Sequence, residues 1–202
     1  MPVNPSLPRK VLVVHGVQSS DTTLNQDILI NELIKARIDN IGALFAKAAE
    51  LADSGPTEIH QEDTFFSCPN GRMKLRKLSA TEGMLIFYQR PDCAGPKESY
   101  YLMAPTSSPD LLREVLSSGY GQAGRVRKTR TLFMAGRTRI HLDKVEGLGD
   151  FLELEVVLAE DEATEAGMVI ARDLLKELGV SDDQLLEGAY VDLAAKSFFV
   201  AK

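Results

Sequence analysis

From residue 57 onward the chain keeps returning to short runs of period two, and what separates most of them is a turn. Strands are predicted over 28–38, 57–66, 72–78, 84–90, 98–104, 125–134, 137–145 and 151–158. Pro69-Asn70-Gly71, Thr81-Glu82-Gly83, Ala135-Gly136 and Gly147-Leu148-Gly149 are the turn signals between neighbours. Strands joined so tightly must pair antiparallel, because a parallel pair needs a crossover of about a dozen residues or more. Helices are predicted over 41–52, from Ser108 to about 118, over 162–178, and in a last short piece capped by Ser181. The expected fold class is α+β: about eight antiparallel strands, enough to close a β-barrel, with flanking helices.

The strands carry an unusual load. Lys35 and Arg37 flank Ala36, Lys74 and Arg76 flank Leu75, and Lys128 and Arg130 flank Thr129. His141 and Asp143 flank Leu142, and Glu153 and Glu155 alternate with leucines. Period two puts each pair on one face of its strand. A solvated outer face explains any one such strand. Five with the same habit, with a basic run over 125–139 followed by an acidic run over 150–165, point to a polar lumen. Arginine suits bidentate contact with phosphate. Paired carboxylates suit a hard cation such as Mg²⁺.

The 202 residues carry a net charge of −6, which disfavours wrapping of nucleic acid. No apolar run reaches the roughly 18–20 residues of a spanning helix, so no membrane partner is expected. Cys68 and Cys93 are too few for a zinc site or a disulfide framework. Free thiols and a cytoplasmic location are the expectation, as a monomer or homodimer. Residues 1–27, rich in proline at the start and in Ser/Thr/Asp near the end, form an atypical leader before the domain at 28–202.

The ordered set of motifs resembles the CYTH superfamily, the triphosphate tunnel metalloenzymes. The stretches that carry the resemblance include Lys35-Ala36-Arg37-Ile38, Gln61-Glu62-Asp63-Thr64-Phe65-Phe66 and Gly71-Arg72-Met73-Lys74-Leu75-Arg76. Lys128-Thr129-Arg130, the run from Ile140 to Glu155, and Gly188-Ala189-Tyr190-Val191-Asp192-Leu193 complete it. The family includes class IV adenylyl cyclases, thiamine triphosphatases and inorganic triphosphatases. The resemblance implies an eight-stranded tunnel. Lys74, Arg76, Arg90, Lys128 and Arg130 would bind a triphosphate there, with Lys35 and Asp143 acting at the reacting end. It implies that Glu153 and Glu155 hold Mg²⁺ or Mn²⁺. His141 reads more simply as a packed or hydrogen-bonded strand histidine.

One position departs from the family. Leu33 stands where a metal-binding glutamate belongs, and Glu32 reaches that face only through a one-residue bulge. The expected activity is a metal-dependent hydrolysis of inorganic triphosphate, thiamine triphosphate or a nucleotide. The alternatives are a cyclase that makes cyclic AMP from ATP, and a polyphosphate-binding module impaired by Leu33.

Overall fold

A computed structural model describes residues 31–89, 100–159 and 162–200. The leader and Arg90 lie outside the described residues. Among the described residues eight strands and four α-helices follow one another: β1 (Asn31–Ile38), α1 (Ile41–Leu51), β2 (Ser54–Phe66), β3 (Arg72–Lys77), β4 (Gly83–Gln89) and β5 (Tyr100–Thr106). Then come α2 (Pro109–Tyr120), β6 (Gln122–Ala135), β7 (Thr138–Val145), β8 (Gly149–Val157), α3 (Thr164–Leu178) and α4 (Tyr190–Val200). A 3₁₀ turn over Asp182–Gln184 precedes α4.

All eight strands form one antiparallel sheet in the order β1-β8-β7-β6-β2-β3-β4-β5. Among the described residues no ladder joins β1 to β5, so the sheet is open at these two edges where a closed barrel was expected. The free edge of β1 is occupied from another direction. Leu185 bridges to Ala36, and the Leu186 amide donates to the Lys35 carbonyl at 2.8 Å. That contact also explains why the helix predicted from Ser181 stops after one turn. The capping box of Ser181 and Gln184 forms, but the next backbone groups are taken by β1. The helix then restarts at Tyr190 as α4, which was not predicted.

Alternation sorts the sheet into two faces. The outer face carries Ala36, Ile38, Phe133, Ile140, Leu142, Leu152 and Leu154, which pack against Leu44 and Ala48 of α1 and Leu174, Leu175 and Leu178 of α3. Fully burying one such side chain contributes about 1.5–3 kcal/mol. Helix α3 ends where the sequence says it must, at Gly179 in the left-handed conformation with φ 74°. Farther along the same face, Leu75 and Phe66 pack under Leu116 of α2. The inner face is the polar one.

Candidate functional site

Cross-strand register brings the charged pairs together on the inner face. Lys35 lies opposite Glu153, His141 opposite Glu153, Arg130 opposite Asp143, and Arg139 opposite Glu155. On the other half of the sheet Asp63 lies opposite Arg76, and Gln61 opposite Lys128. Lys35, Gln61, Asp63, Arg130, His141, Asp143 and Glu153 are all buried. A buried charge is costly unless it is paired, and Lys35, Asp63, Arg130, Asp143 and Glu153 are paired closely.

Asp143, fully buried, is the hub. It accepts Arg130 Nε on Oδ1 and Nη2 on Oδ2, both at 2.6 Å, and Lys128 Nζ at 2.7 Å. The Tyr190 hydroxyl donates to Oδ2 at 3.0 Å. Arg130 Nη2 also donates to Glu153, and Lys35 Nζ lies 3.3 Å from Glu153 Oε1. Lys35 Nζ donates to the Gly188 carbonyl at 2.9 Å and sits 4.0 Å from the centroid of the Tyr190 ring, a cation–π contact. Burial pushes the Asp143 and Glu153 carboxyls up, but Arg130 and Lys128 more than offset this and hold both below the usual carboxylate range. For Tyr190 the burial and the carboxylates act together and push the phenol up, so it stays a proton donor.

A second group lies on β2 and β3. Arg76 Nε and Nη2 donate to Asp63 Oδ1 and Oδ2 at 2.8 Å each, and Lys74 Nζ donates to Oδ2 at 2.7 Å. Burial pushes Lys74 down, and Arg76 adds to this against the pull of Asp63, leaving it at about 8. One end of the inner face is closed by an apolar cluster of Phe65, Val126, Val145, Phe151 and Tyr190. The Phe151 and Tyr190 rings meet edge to face at 4.9 Å.

The basic run over 125–139 divides by parity. Lys128, Arg130 and Arg139 face inward. Arg125 and Arg127 face outward, where with Arg113 they converge on Glu62. Arg137 pairs with Glu162. A groove beside that outer cluster, lined in part by His60, Lys77, Lys144 and Asp150, also reaches Gln61 and Lys128 of the inner face. Sequence reasoning left Asp63, Gln61, Arg139 and Tyr190 out of the site. Asp63 could have been found from its parity with the inward residues of β2. Tyr190 arrives on a helix, and no strand pattern signals it.

The carboxylates can be tested against a hard cation. Glu153 holds Lys35 and Arg130, and Arg139 Nη1 lies 3.1 Å from Glu155 Oε1. The β1–β8 register is regular from Asn31 to Ile38, with Glu32 opposite Val156 and Leu33 opposite Glu155. The bulge that would exchange them is absent, and leucine brings no oxygen. Among the described residues no group of three or more acidic, histidine or cysteine side chains converges on one point. Two carboxylates suit a Mg²⁺ or Mn²⁺ ion that takes its other ligands from phosphate oxygens and water. They do not make a cage of protein ligands alone.

The Lys-x-Arg pairs and acids that share this face lie in a stretch of sequence that a family model matches. The CYTH domain model matches residues 32–190, and the chain belongs to the CYTH domain family. Among its relatives is the adenylate cyclase CyaB of Aeromonas hydrophila, 24% identical over 170 residues, covering 81% of this chain and 87% of the relative. Among solved structures, the PH1012 protein of Pyrococcus horikoshii OT3 is 25% identical with a TM-score of 0.71, covering 82% of this chain and 99% of that one. A conserved protein of Pyrococcus furiosus aligns with the same TM-score of 0.71 at 20% identity, covering 81% and 99%. Among the described residues no helix is long and apolar enough to cross a membrane.

Proposed function

We propose that this chain is a metal-dependent triphosphatase whose inner sheet face forms a tunnel for the polyphosphate. The observation that carries the reading is the gathering of two Lys-x-Arg pairs and Lys35 on one face, Lys35 and Arg130 buried and Lys74, Arg76 and Lys128 half-buried, on the face not covered by α1 and α3. A face that stays buried without a helix layer is what a strongly curled, tunnel-like sheet provides. Lys74, Arg76, Lys128 and Arg130 each keep N–H donors beyond those used on carboxylates. They bind and orient the non-bridging oxygens, with Arg90 as a further base. Glu153 and Glu155 would hold Mg²⁺ or Mn²⁺ jointly with the substrate phosphates, and the metal would supply charge neutralisation at the terminal phosphoryl group. Lys35, fixed by Glu153, Gly188 and Tyr190, offers its charge to the same end. Asp143 accepts from Arg130, Lys128 and Tyr190, so it serves to orient these donors. Water adds to the terminal phosphorus as the bridging P–O bond breaks, giving inorganic phosphate and the shortened phosphate. Positioning and electrostatic stabilisation provide most of the catalysis in such transfers.

The naming of a relative as an adenylate cyclase supports a second reading on the same face. There the ribose 3′-hydroxyl attacks the α-phosphorus and pyrophosphate leaves. One assay separates them. The full chain is incubated with Mg²⁺ or Mn²⁺ and inorganic tripolyphosphate, thiamine triphosphate or ATP, and phosphate, pyrophosphate and cyclic AMP are measured. Phosphate release is expected. Cyclic AMP with pyrophosphate would replace the first reading with the second. Binding without turnover, with turnover restored by Leu33→Glu, would leave a binding module.

A further inference from the structure

The two Lys-x-Arg pairs are held in the same way, atom for atom. In each, the arginine Nε meets Oδ1 of an aspartate on the neighbouring strand, its Nη2 meets Oδ2, and the lysine Nζ shares that Oδ2 at 2.7 Å. The aspartate is Asp143 for Lys128 and Arg130, and Asp63 for Lys74 and Arg76. Two cations two residues apart on one strand repel and would otherwise splay. A shared carboxylate fixes both while using only one donor of the lysine and two of the arginine.

We propose that Asp63 is a positioning residue of the anion site, building Lys74 and Arg76 into a second clamp that grips the bound polyphosphate alongside the Asp143 clamp. A separate observation points to a ligand between them. Gln61 lies on β2 two residues before Asp63 and opposite Lys128, is 4% exposed, and its Oε1 has no hydrogen-bond partner among the described residues. A buried amide is normally satisfied. Turned over, the same amide places its NH₂ donors at that position, where a phosphate oxygen held by both clamps would accept them.

The groups facing Lys74 make the clamp readable. Asp63 on β2, Arg76 on β3 and Lys128 on β6 are the charges around it. β4 brings Ile86 opposite it, and Asp192 of α4 is engaged by Arg72. Asp63 is the charge that keeps Lys74 protonated. Without it the ammonium loses its proton at lower pH, and the clamp loses a charge.

The inference rests on the polyphosphate reading, and the test keeps the two apart. Inorganic tripolyphosphate is titrated calorimetrically into the full chain from pH 6.5 to 9.5, and the Lys74 ε-carbon is followed by NMR in the free protein. Wild-type affinity is expected to fall about tenfold as pH rises through the Lys74 transition, the scale of one lost charge. Lys74→Arg should flatten that fall. In Asp63→Asn the fall and the Lys74 titration should both move to lower pH. Glu62→Gln, on the outer face, should leave both in place. If Asp63→Asn weakens binding equally at every pH with the Lys74 titration unmoved, the proposal is wrong. If Asp63→Asn does not fold, Asp63→Glu keeps the charge but displaces it. Lost affinity with Lys74 still charged then supports the clamp, and unchanged affinity overturns it. Failure of the wild type to bind tripolyphosphate overturns the polyphosphate reading, while the NMR comparison still decides whether Asp63 governs Lys74.

Discussion

The Tyr190 hydroxyl donates to Asp143 Oδ2 at 3.0 Å, tying the start of α4 to the hub of the charged face across 47 positions of sequence. Lys35 and Lys128 lie over the same ring, 4.0 and 5.0 Å from its centroid. The phenol therefore closes one end of the cluster and satisfies a buried carboxylate. Tyr190→Phe keeps the ring and loses the hydrogen bond to a charged acceptor, so it should cost about 1.5–3 kcal/mol. Tyr190→Ala also empties a pocket beside Phe151 and should cost about 3–5 kcal/mol. Urea unfolding of the two variants measures both. A Tyr190→Phe protein as stable as the wild type would mean that the ring, not the hydroxyl, does the holding.

Arg130 bridges Asp143 and Glu153, and the two acids hold its guanidinium charged more firmly than usual, against the opposing effect of burial. Removing it strands two carboxylates, so Arg130→Ala mixes binding with a stability loss of about 3–5 kcal/mol. Arg130→Lys is the cleaner probe. It keeps the charge and loses the planar fork. Its affinity for tripolyphosphate should drop by roughly 1.5–3 kcal/mol, read by calorimetry at a temperature where both proteins are folded. An unchanged affinity would put Arg130 outside the ligand's reach.

Much of this face was legible as period-two chemistry. Lys128 with Arg130, His141 with Asp143, and Glu153 with Glu155 announce an inward charged side because their partners in alternation are core leucines and β-branched residues. The same rule applies at β2, where Glu62 and Asp63 are adjacent acids. One faces the outer arginines and the other the inner clamp, as parity along β2 requires and the register with β3 and β6 bears out. The basic run over 125–139 was legible in composition but not in direction, since parity sends Arg125 and Arg127 outward. Helix α4 was hidden because what fixes it is tertiary. It starts after Leu185 and Leu186 have engaged β1, and it packs through Tyr190 into a cluster drawn from β2, β6, β7 and β8. Sheet closure depends on the placement of edge strands, which no local pattern specifies.

His141 gives the fold a pH dependence with a definite sign. Burial lowers its pKa well below the ordinary value of 6.5, and Arg130 adds to this, so the native imidazole stays neutral. Its Nδ1 has no partner among the described residues. The unfolded chain binds the proton more readily, so the stability associated with neutral His141 is present above about pH 6.5 and is lost as pH falls below it. The slope approaches about 1.4 kcal/mol per pH unit for one proton. Urea unfolding at pH 7 and pH 5.5 should show this loss in wild type, and His141→Gln should remove most of it. An identical slope in the variant would assign the dependence to other groups.

The close approach of α4 to β6 offers a test of whether that helix sets the site. A Cβ built on Gly124 would lie 2.6 Å from Val191 Cγ2, and a β-branched valine has little freedom to turn away. Val191 directly follows Tyr190, so displacing it pulls the phenol from Asp143. Gly124→Ala should therefore destabilise by about 1–3 kcal/mol, the range for overpacking a tight contact. It should also weaken tripolyphosphate binding, although Gly124 carries no group that could touch a ligand. Val191→Ala in the same chain makes room for the new methyl. The double variant should recover most of the stability and the binding, with a coupling energy above about 0.5 kcal/mol in the unfolding cycle. If stability recovers while binding does not, α4 packs against β6 without setting the position of Tyr190, and the hydroxyl contact is not what holds the charged face in register.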